Sequence, residues 1–501
     1  MSPAPWSSPA GDIPTTLVHS RSSSMGNLPP GPKSLSLVDT IRAGFISSEP
    51  VFRRYAAEYG PTFRLRSPNG ILTITGDPEA IRAVYTADPD EFDVWGVQLT
   101  EPVFGTSSVV VTAGARHRRD RRLLAPPFSA GAMRGYGDAI AEISLDVASR
   151  WRPGRSFSML AATQAIALDV IVRVVFGVRG EARVGRTREA VLGLIESLSP
   201  SFMIIPALRR DFAGFGPYAR HKRAARALDA LLFEEIRARR AEGDASQDIL
   251  GLMMSARHDD GAGMSDVEIA DQLRALLFAG HETTAMSLGW AMYWLHREPA
   301  VLARLLDELD TLGPAPEADA LASLPYLEAV CLEALRLHPP VVDVARVVKR
   351  PFRLKGYTIP AGEAIAASPL LLHGREDLYP SPERFRPSRF LDRKFTPFEF
   401  IAFGGGARRC LGAAFAMYEM KVALGTILGR YRLRLESQAP IHHVRRGLTM
   451  GPSGDVAMIL EGERERARAE GRPAAVQGSP AEPALRPAAP QPAGRCPMGF
   501  S

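Results

Sequence analysis

Apolar residues recur at helical spacing through most of residues 28–460 and alternate with polar ones only in short stretches. The clearest helical stretch starts at Ser265. Ser265 and Glu268 stand in the capping-box relation, where a hydroxyl and a carboxylate satisfy orphan amides at a helix start. Apolar residues then run through Leu273, Leu276, Leu277 and Phe278 to Trp294. Glu298-Pro299 ends this helix and opens the next, since proline is tolerated in a first turn. The spacing predicts a helix of about 30 residues, apolar over much of its circumference, which belongs at the centre of a large domain.

Alternation predicts short strands near Thr62–Ile74, with Asp77-Pro78 then opening a helix. Strands are also predicted near Val347–Ile365, punctuated by Gly356-Tyr357 and Pro360-Ala361-Gly362, and near Leu448–Leu460. The expected fold is mainly α with small β-sheets at the sides. Residues 1–27 are rich in Ser, Pro and Ala, lack an apolar signal core and read as a flexible tail. Leu28–Pro32 is stiff and extended because its prolines fix the backbone. From Glu461 to Glu470 the chain is charged and can prolong a helix; beyond it Pro, Ala and Gly favour disorder. The expected organisation is a tail (1–27), one domain (28–460) and a second tail (461–501).

Composition narrows the class. The 501 residues are 46% hydrophobic and carry a net charge of +6, enough apolar material for a large core. The mild, dispersed excess of base suits an acidic protein or a membrane surface rather than nucleic acid. No stretch has the roughly 20 apolar residues of a membrane span. The three cysteines, Cys331, Cys410 and Cys496, are too few and too odd for a disulfide framework. A reducing compartment follows, and a cytoplasmic, monomeric protein is expected.

The segment Phe403-Gly404-Gly405-Gly406-Ala407-Arg408-Arg409-Cys410-Leu411-Gly412 carries the chemistry. Its glycines permit a tight turn and close approach to a flat ligand, with Phe403 and Gly404 beside it. Cys410 opens an apolar helix, where amides, dipole and arginines favour thiolate. A thiolate is an axial ligand that donates electron density to haem iron. Arg408 is placed to reach a haem propionate. The ordinary alternative is a buried apolar cysteine. It would have to explain Phe, Gly, Arg, Cys and Gly at fixed offsets.

Phe403, Gly406, Arg408, Cys410 and Gly412 match the haem-binding signature of the cytochrome P450 family position by position, and the chain resembles that family from Leu28 to Leu460. The resemblance implies a single large triangular domain with a long central helix over the haem. It implies haem b as cofactor and dioxygen as co-substrate, with NAD(P)H electrons arriving through redox partners. Glu333 and Arg336 resemble the family's Glu-x-x-Arg pair, and Arg389 its downstream arginine, which implies a buried structural triad that fixes the thiolate loop. On bare physics an exposed i,i+3 salt bridge is the alternative. The resemblance also implies propionate contacts for His117, Arg121 and Arg346. The remaining arginines of Arg116–Arg122 read as a solvated face.

Ala279-Gly280-His281-Glu282-Thr283-Thr284 places polar residues midway along the long helix. Gly280 is read as letting a ligand or water approach the backbone. The bland reading of the hydroxyls is a local kink in which they bond carbonyls one turn back. By resemblance, Glu282 and Thr283 are the catalytic acid–alcohol pair that delivers two protons to bound dioxygen. His281 is no zinc ligand, because position 285 is Ala285.

Apolar clusters stand where the family lines its substrate pocket: Trp95 and Phe104 with Phe92, Val94 and Leu99; Phe202 with its neighbours; Val342 with Val341 and Val344; and Leu448–Met450. With Ala279 they favour an apolar substrate, although each can equally be ordinary core. Asp343 is an exposed strand residue or a polar contact to substrate. Pro200–Leu208 reads as a lid segment or a membrane contact. No Gly-x-Gly-x-x-Gly fingerprint or cysteine cluster supplies electrons internally. A separate acidic ferredoxin suits Arg409 and Lys421 near Cys410. Ala279–Thr284 and Leu28–Pro32 resemble branches of the family that hydroxylate fatty acids or terpenoids, and this resemblance implies monooxygenation of such a substrate. A peroxide-driven peroxygenase or haem isomerase, and a non-enzymatic haem sensor, are the alternatives.

Overall fold

The computed structural model describes residues 27–464, apart from 68, 129–132, 179, 199–207, 209–213, 244–247 and 259–260. The helices that frame the site are α1 (Pro78–Thr86), α2 (Val97–Phe104), α3 (Gly114–Leu124), α4 (Met159–Val170), α5 (Asp266–Arg297), α6 (Pro325–Leu337) and α7 (Ala413–Arg430). Local chemistry starts two of them, α1 and α5, as the sequence predicts. The Asp77 carboxylate accepts the amides of Glu79 and Ala80 at 3.0 Å each, with Pro78 in the first turn of α1. At α5 the Ser265 hydroxyl accepts the Glu268 amide at 3.3 Å and the Glu268 carboxylate accepts the Ser265 amide at 2.9 Å.

The central helix α5 has 32 residues and is buried along most of its length. It packs on α4, α6 and α7. Trp290, Leu273, Leu288 and Leu295 share one apolar core with Ile166 of α4, Leu327 and Val330 of α6, and Val422 and Leu424 of α7. Such a helix stays in water-free surroundings only because its neighbours cover it on nearly every side.

The strands are β1 (Thr62–Ser67), β2 (Gly70–Thr75), β3 (Phe92–Val94), β4 (Ser156–Ser158), β5 (Val344–Val348), β6 (Phe352–Leu354), β7 (Tyr357–Ile359), β8 (Ala364–Ala367), β9 (Tyr431–Leu435), β10 (His443–Arg446), β11 (Thr449–Pro452) and β12 (Ala457–Glu463). The largest sheet runs β1-β2-β8-β5-β3, parallel only between β2 and β8. The hairpin β10–β11 pairs Arg446 with Thr449 and Arg445 with Met450. It lies against α5 because position 451 is glycine: a Cβ there would stand 2.4 Å from Met286 Sδ.

Two expectations are corrected here. From Glu461 to Arg464 the charged run does not prolong a helix: β12 continues to Glu463, paired with β9 and carried on by the Arg464 amide donating to the Arg430 carbonyl at 2.7 Å, and the rest of the run lies outside the described residues. Partner strands outweigh the local charge pattern. Asp343 is not a strand residue; it precedes β5 and is half-buried. The chain divides after Arg466, and 467–501, with Cys496, lie outside the described residues. Among those described, no helix is long and apolar enough to cross a membrane.

Candidate active site

Cys410 follows a single 3₁₀ turn, Gly406–Arg408, and precedes α7. Its amide donates to the Phe403 carbonyl at 2.8 Å, closing the loop on itself, while half-buried Phe403 packs on the main core. Gly404 and Gly406 adopt φ values of 65° and 63°, a region that penalises side chains. A Cβ at Gly405 would lie 2.1 Å from the ring of Tyr85, and one at Gly406 2.4 Å from the Tyr85 carbonyl oxygen. Two of the three glycines therefore admit α1. Only Gly404 faces open space, so close approach to a flat ligand is not the reason for all three.

Cys410 is exposed as a residue, yet burial of its thiol raises the pKa above the ordinary thiol value. Both hold if the sulfur opens onto an interior space rather than bulk solvent. The Gly412 amide, Arg121 and Arg409 pull the other way and lose. The expected pull of helix amide and arginines towards thiolate is present, but burial outweighs it, and a bound metal cation would favour the deprotonated sulfur.

Arg121, Arg346, Arg408 and His117 converge beside this loop. Arg121 donates to the Arg409 carbonyl at 2.6 Å, Arg346 to the Gly405 carbonyl at 2.7 Å and Arg408 to the Thr112 carbonyl. Burial, then Arg346 and Arg121, lower the Arg408 pKa to about 10. Burial, then Arg408 and Arg121, lower that of His117 to about 4, so His117 is neutral at pH 7. Among the described residues none of the three arginines has a carboxylate ion-pair partner. Crowded, half-desolvated guanidiniums repel one another, and a ligand with two carboxylates would relieve them. The two propionates of haem b fit this donor set.

Glu333, Arg336 and Arg389 are brought together, all buried. Arg336 grips the Glu333 carboxylate bidentately at 2.7 and 2.9 Å, and Arg389 Nε reaches the same carboxylate at 3.0 Å. The exposed-salt-bridge alternative is excluded by this burial. Sequence reasoning missed His373, which links the triad to the cysteine loop. Arg336 Nη1 donates to the His373 carbonyl at 3.0 Å, and the Ile401 amide donates to His373 Nε2 at 3.0 Å. That acceptor role leaves the proton on Nδ1, which donates to the Arg336 carbonyl at 3.2 Å. Burial, then Arg336, hold the His373 pKa down at about 3, which keeps the ring neutral.

On α5, Leu276 and Thr283 are half-buried and Ala279 is exposed, while Phe278, His281, Glu282 and Thr284 are buried. Positions 276, 279 and 283 share one face. An uncovered stripe midway along a buried helix marks the wall of an interior space. The Thr283 hydroxyl donates to the Ala279 carbonyl at 2.5 Å, the self-satisfied arrangement of the bland reading, and its oxygen remains able to accept. Gly280 is corrected: a Cβ there would meet Ile171 Cδ1 at 2.6 Å, so this glycine admits a neighbouring side chain. The Glu282 carboxylate accepts from the Thr449 hydroxyl at 3.1 Å, and burial raises the Glu282 pKa to about 7. His281 faces the Gln164 carbonyl at 3.2 Å and joins no metal-ligand cluster among the described residues.

Of the pocket residues, Phe104 packs edge-on against Phe278 of α5 at 5.4 Å, with Leu448 in the same cluster. Val342 and Met450 pack together with Leu370. Trp95 and Phe92 join apolar clusters of the large sheet, and Val344 is half-exposed. Phe202, with most of Pro200–Leu208, lies outside the described residues. Asp343 is half-accessible, yet burial raises its pKa, which again places it on an interior wall. Lys421 is corrected as a docking residue: it is buried on α7 and paired with Glu328 at 2.9 Å.

Comparison with known proteins accounts for this arrangement. The cytochrome P450 family model matches residues 29–457. Putative cytochrome P450 138 of Mycobacterium tuberculosis and of Mycobacterium bovis is 34% identical over 437 residues, covering 86% of this chain and 96% of the relative. Putative cytochrome P450 135B1 of M. tuberculosis is 36% identical over 421 residues, 83% of this chain and 87% of the relative. A retinoic-acid-bound cyanobacterial CYP120A1 shares the fold at a TM-score of 0.78 and 24% identity, covering 87% of this chain and 100% of that one. The cytochrome P450DA heme domain does so at 0.79 and 23%, covering 89% and 100%. With its closed cysteine loop, the arginines that converge beside it and a family match along nearly the whole described chain, this protein belongs to the cytochrome P450 family and is a haem-dependent monooxygenase.

Proposed function

We propose that this chain hydroxylates an apolar small molecule of the fatty-acid or terpenoid kind, as a cytoplasmic monomer that takes electrons from a separate ferredoxin. The observation that carries the reading is the uncovered stripe Leu276–Ala279–Thr283 midway along α5. It puts one hydroxyl among apolar groups inside the molecule. Phe104, Phe278, Val342 and Met450 supply apolar surface on neighbouring elements. Asp343 is the polar exception and would meet a polar group of the substrate.

Cys410 Sγ would hold the haem iron, with Arg121, Arg346, Arg408 and neutral His117 holding the propionates and Phe403 and Gly404 beside the group. Thiolate-ligated haem supplies dioxygen binding and O–O cleavage. The chain's own task is then to exclude water, orient the substrate and deliver protons. Thr283 would turn its hydroxyl from the Ala279 carbonyl towards the uncovered face of α5 and there hold or pass a proton. Glu282, with a pKa of about 7, can both hold and release a proton at physiological pH. Glu333, Arg336 and Arg389 would fix the loop through His373. Arg409, exposed beside the cysteine, would meet the acidic ferredoxin.

The test is turnover of fatty acids and terpenes under labelled dioxygen with NADPH, ferredoxin and reductase, beside a peroxide-driven control. The reading expects one labelled oxygen atom in product. Product formed from peroxide alone would favour the peroxygenase reading, and substrates leaving the haem spectrum unchanged would count against an apolar site.

A further inference from the structure

Glu282 meets a partner 167 residues away in sequence. Thr449 Oγ1 stands 3.1 Å from Glu282 Oε2 and 3.1 Å from the carbonyl oxygen of Arg446. Glu282 is 6% exposed and Thr449 2%, so neither has bulk water as an alternative partner. The hairpin that presents Thr449 is pinned in place. Gly451 lets it touch Met286, one turn beyond Glu282; the Met450 amide donates to the Pro340 carbonyl at 2.8 Å; and Arg446 Nε donates to the Pro452 carbonyl at 2.8 Å.

A hydroxyl carries one hydrogen and a backbone carbonyl can only accept. With Glu282 ionised, Thr449 turns its hydrogen to the carboxylate. With Glu282 protonated, the acid O–H donates to Thr449 Oγ1, and Thr449 turns its own hydrogen to the Arg446 carbonyl. The same heavy-atom positions serve both states, and the carboxyl keeps a partner in each. Losing that partner would leave a buried polar group unpaired. Charge around the carboxyl is sparse. Arg446 is the charged side chain among the described residues that acts on it, and His281, adjacent on the helix, faces the Gln164 carbonyl and is neutral.

We propose that Thr449 is a positioning residue of the proton relay: it holds the Glu282 carboxyl in one place through both protonation states by turning a single hydroxyl hydrogen between Glu282 and the Arg446 carbonyl. This rests on the reading of Glu282 as the relay acid. The stretch Leu448–Met450 otherwise reads only as pocket lining.

The experiment is an infrared difference titration of the ferric holoenzyme, with the carboxylic C=O stretch of Glu282 identified by its loss in Glu282→Gln. In Thr449→Val the ionised carboxylate loses a charge-assisted donor and the protonated acid loses only a weaker neutral acceptor, so the midpoint of that band rises by about one pH unit and the stretch shifts. Thr449→Ala, which also lacks the hydroxyl, gives the same rise, and Thr449→Ser keeps the wild-type midpoint. Haem content and carbon-monoxide spectra establish that each variant is folded. A wild-type midpoint in Val and Ala, or a rise in Ser as large as in Val, overturns the proposal. The titration needs no turnover. The relay reading is judged separately by whether Glu282→Gln diverts electrons from product to peroxide.

Discussion

Glu282 carries the clearest single-residue consequence of the structure. Burial favours its protonated form, with a pKa of about 7 against 4.5 for an ordinary glutamate. The folded state therefore binds the proton more tightly than the unfolded chain. Stability from this group is complete below pH 4.5, declines as pH rises through 7, and is lower by about 3 kcal/mol once both states are ionised. Glu282→Gln removes that slope, so the unfolding midpoint should fall between pH 4.5 and pH 7 in the wild type and much less in the variant. Parallel declines would show that Glu282 is not held protonated. At this scale the sequence was legible where a motif fixes spacing, as with the contact of Glu333 and Arg336. Thr449, His373 and Tyr85 were not, because their partners are brought close only by tertiary packing.

Among the elements, the cysteine loop is held from two sides. Tyr85 of α1 fills the space beside Gly405 and Gly406, and His373 ties the Ile401 amide to the buried triad. Gly406→Ala forces a side chain into the Tyr85 carbonyl in a left-handed backbone conformation, and should lower haem retention and the yield of folded protein. Haem content equal to wild type would contradict that packing. His373→Phe keeps a ring for stacking on Phe400, 5.2 Å away, but leaves the Ile401 amide unpaired. The expected cost is about 1–3 kcal/mol, read from denaturant unfolding. The long helix and the sheets were legible because period and caps agree with the packing. The end of β12 was not: Glu461 and Glu463 look helical by composition, and pairing with β9 decides otherwise. Gly280 was misread because nothing in its neighbours reveals that Ile171 occupies its side.

For the whole molecule, the net charge of +6 and exposed Arg409 bear on electron delivery. Reduction by an acidic ferredoxin should slow several-fold in Arg409→Glu at low ionic strength, with the difference shrinking as salt screens the encounter. A rate indifferent to both charge and salt would place the donor elsewhere. The fold class was legible in the balance of helical and alternating stretches, and the substrate was not, since apolar pocket and apolar core share one vocabulary. Every role assigned above depends on a bond from Cys410 sulfur to haem iron. The most direct measurement is the carbon-monoxide difference spectrum of the reduced protein and of Cys410→Ser. The wild type should show the band of thiolate-ligated haem, and the variant should lose it while the apoprotein fold persists. An unchanged band in Cys410→Ser would contradict the account.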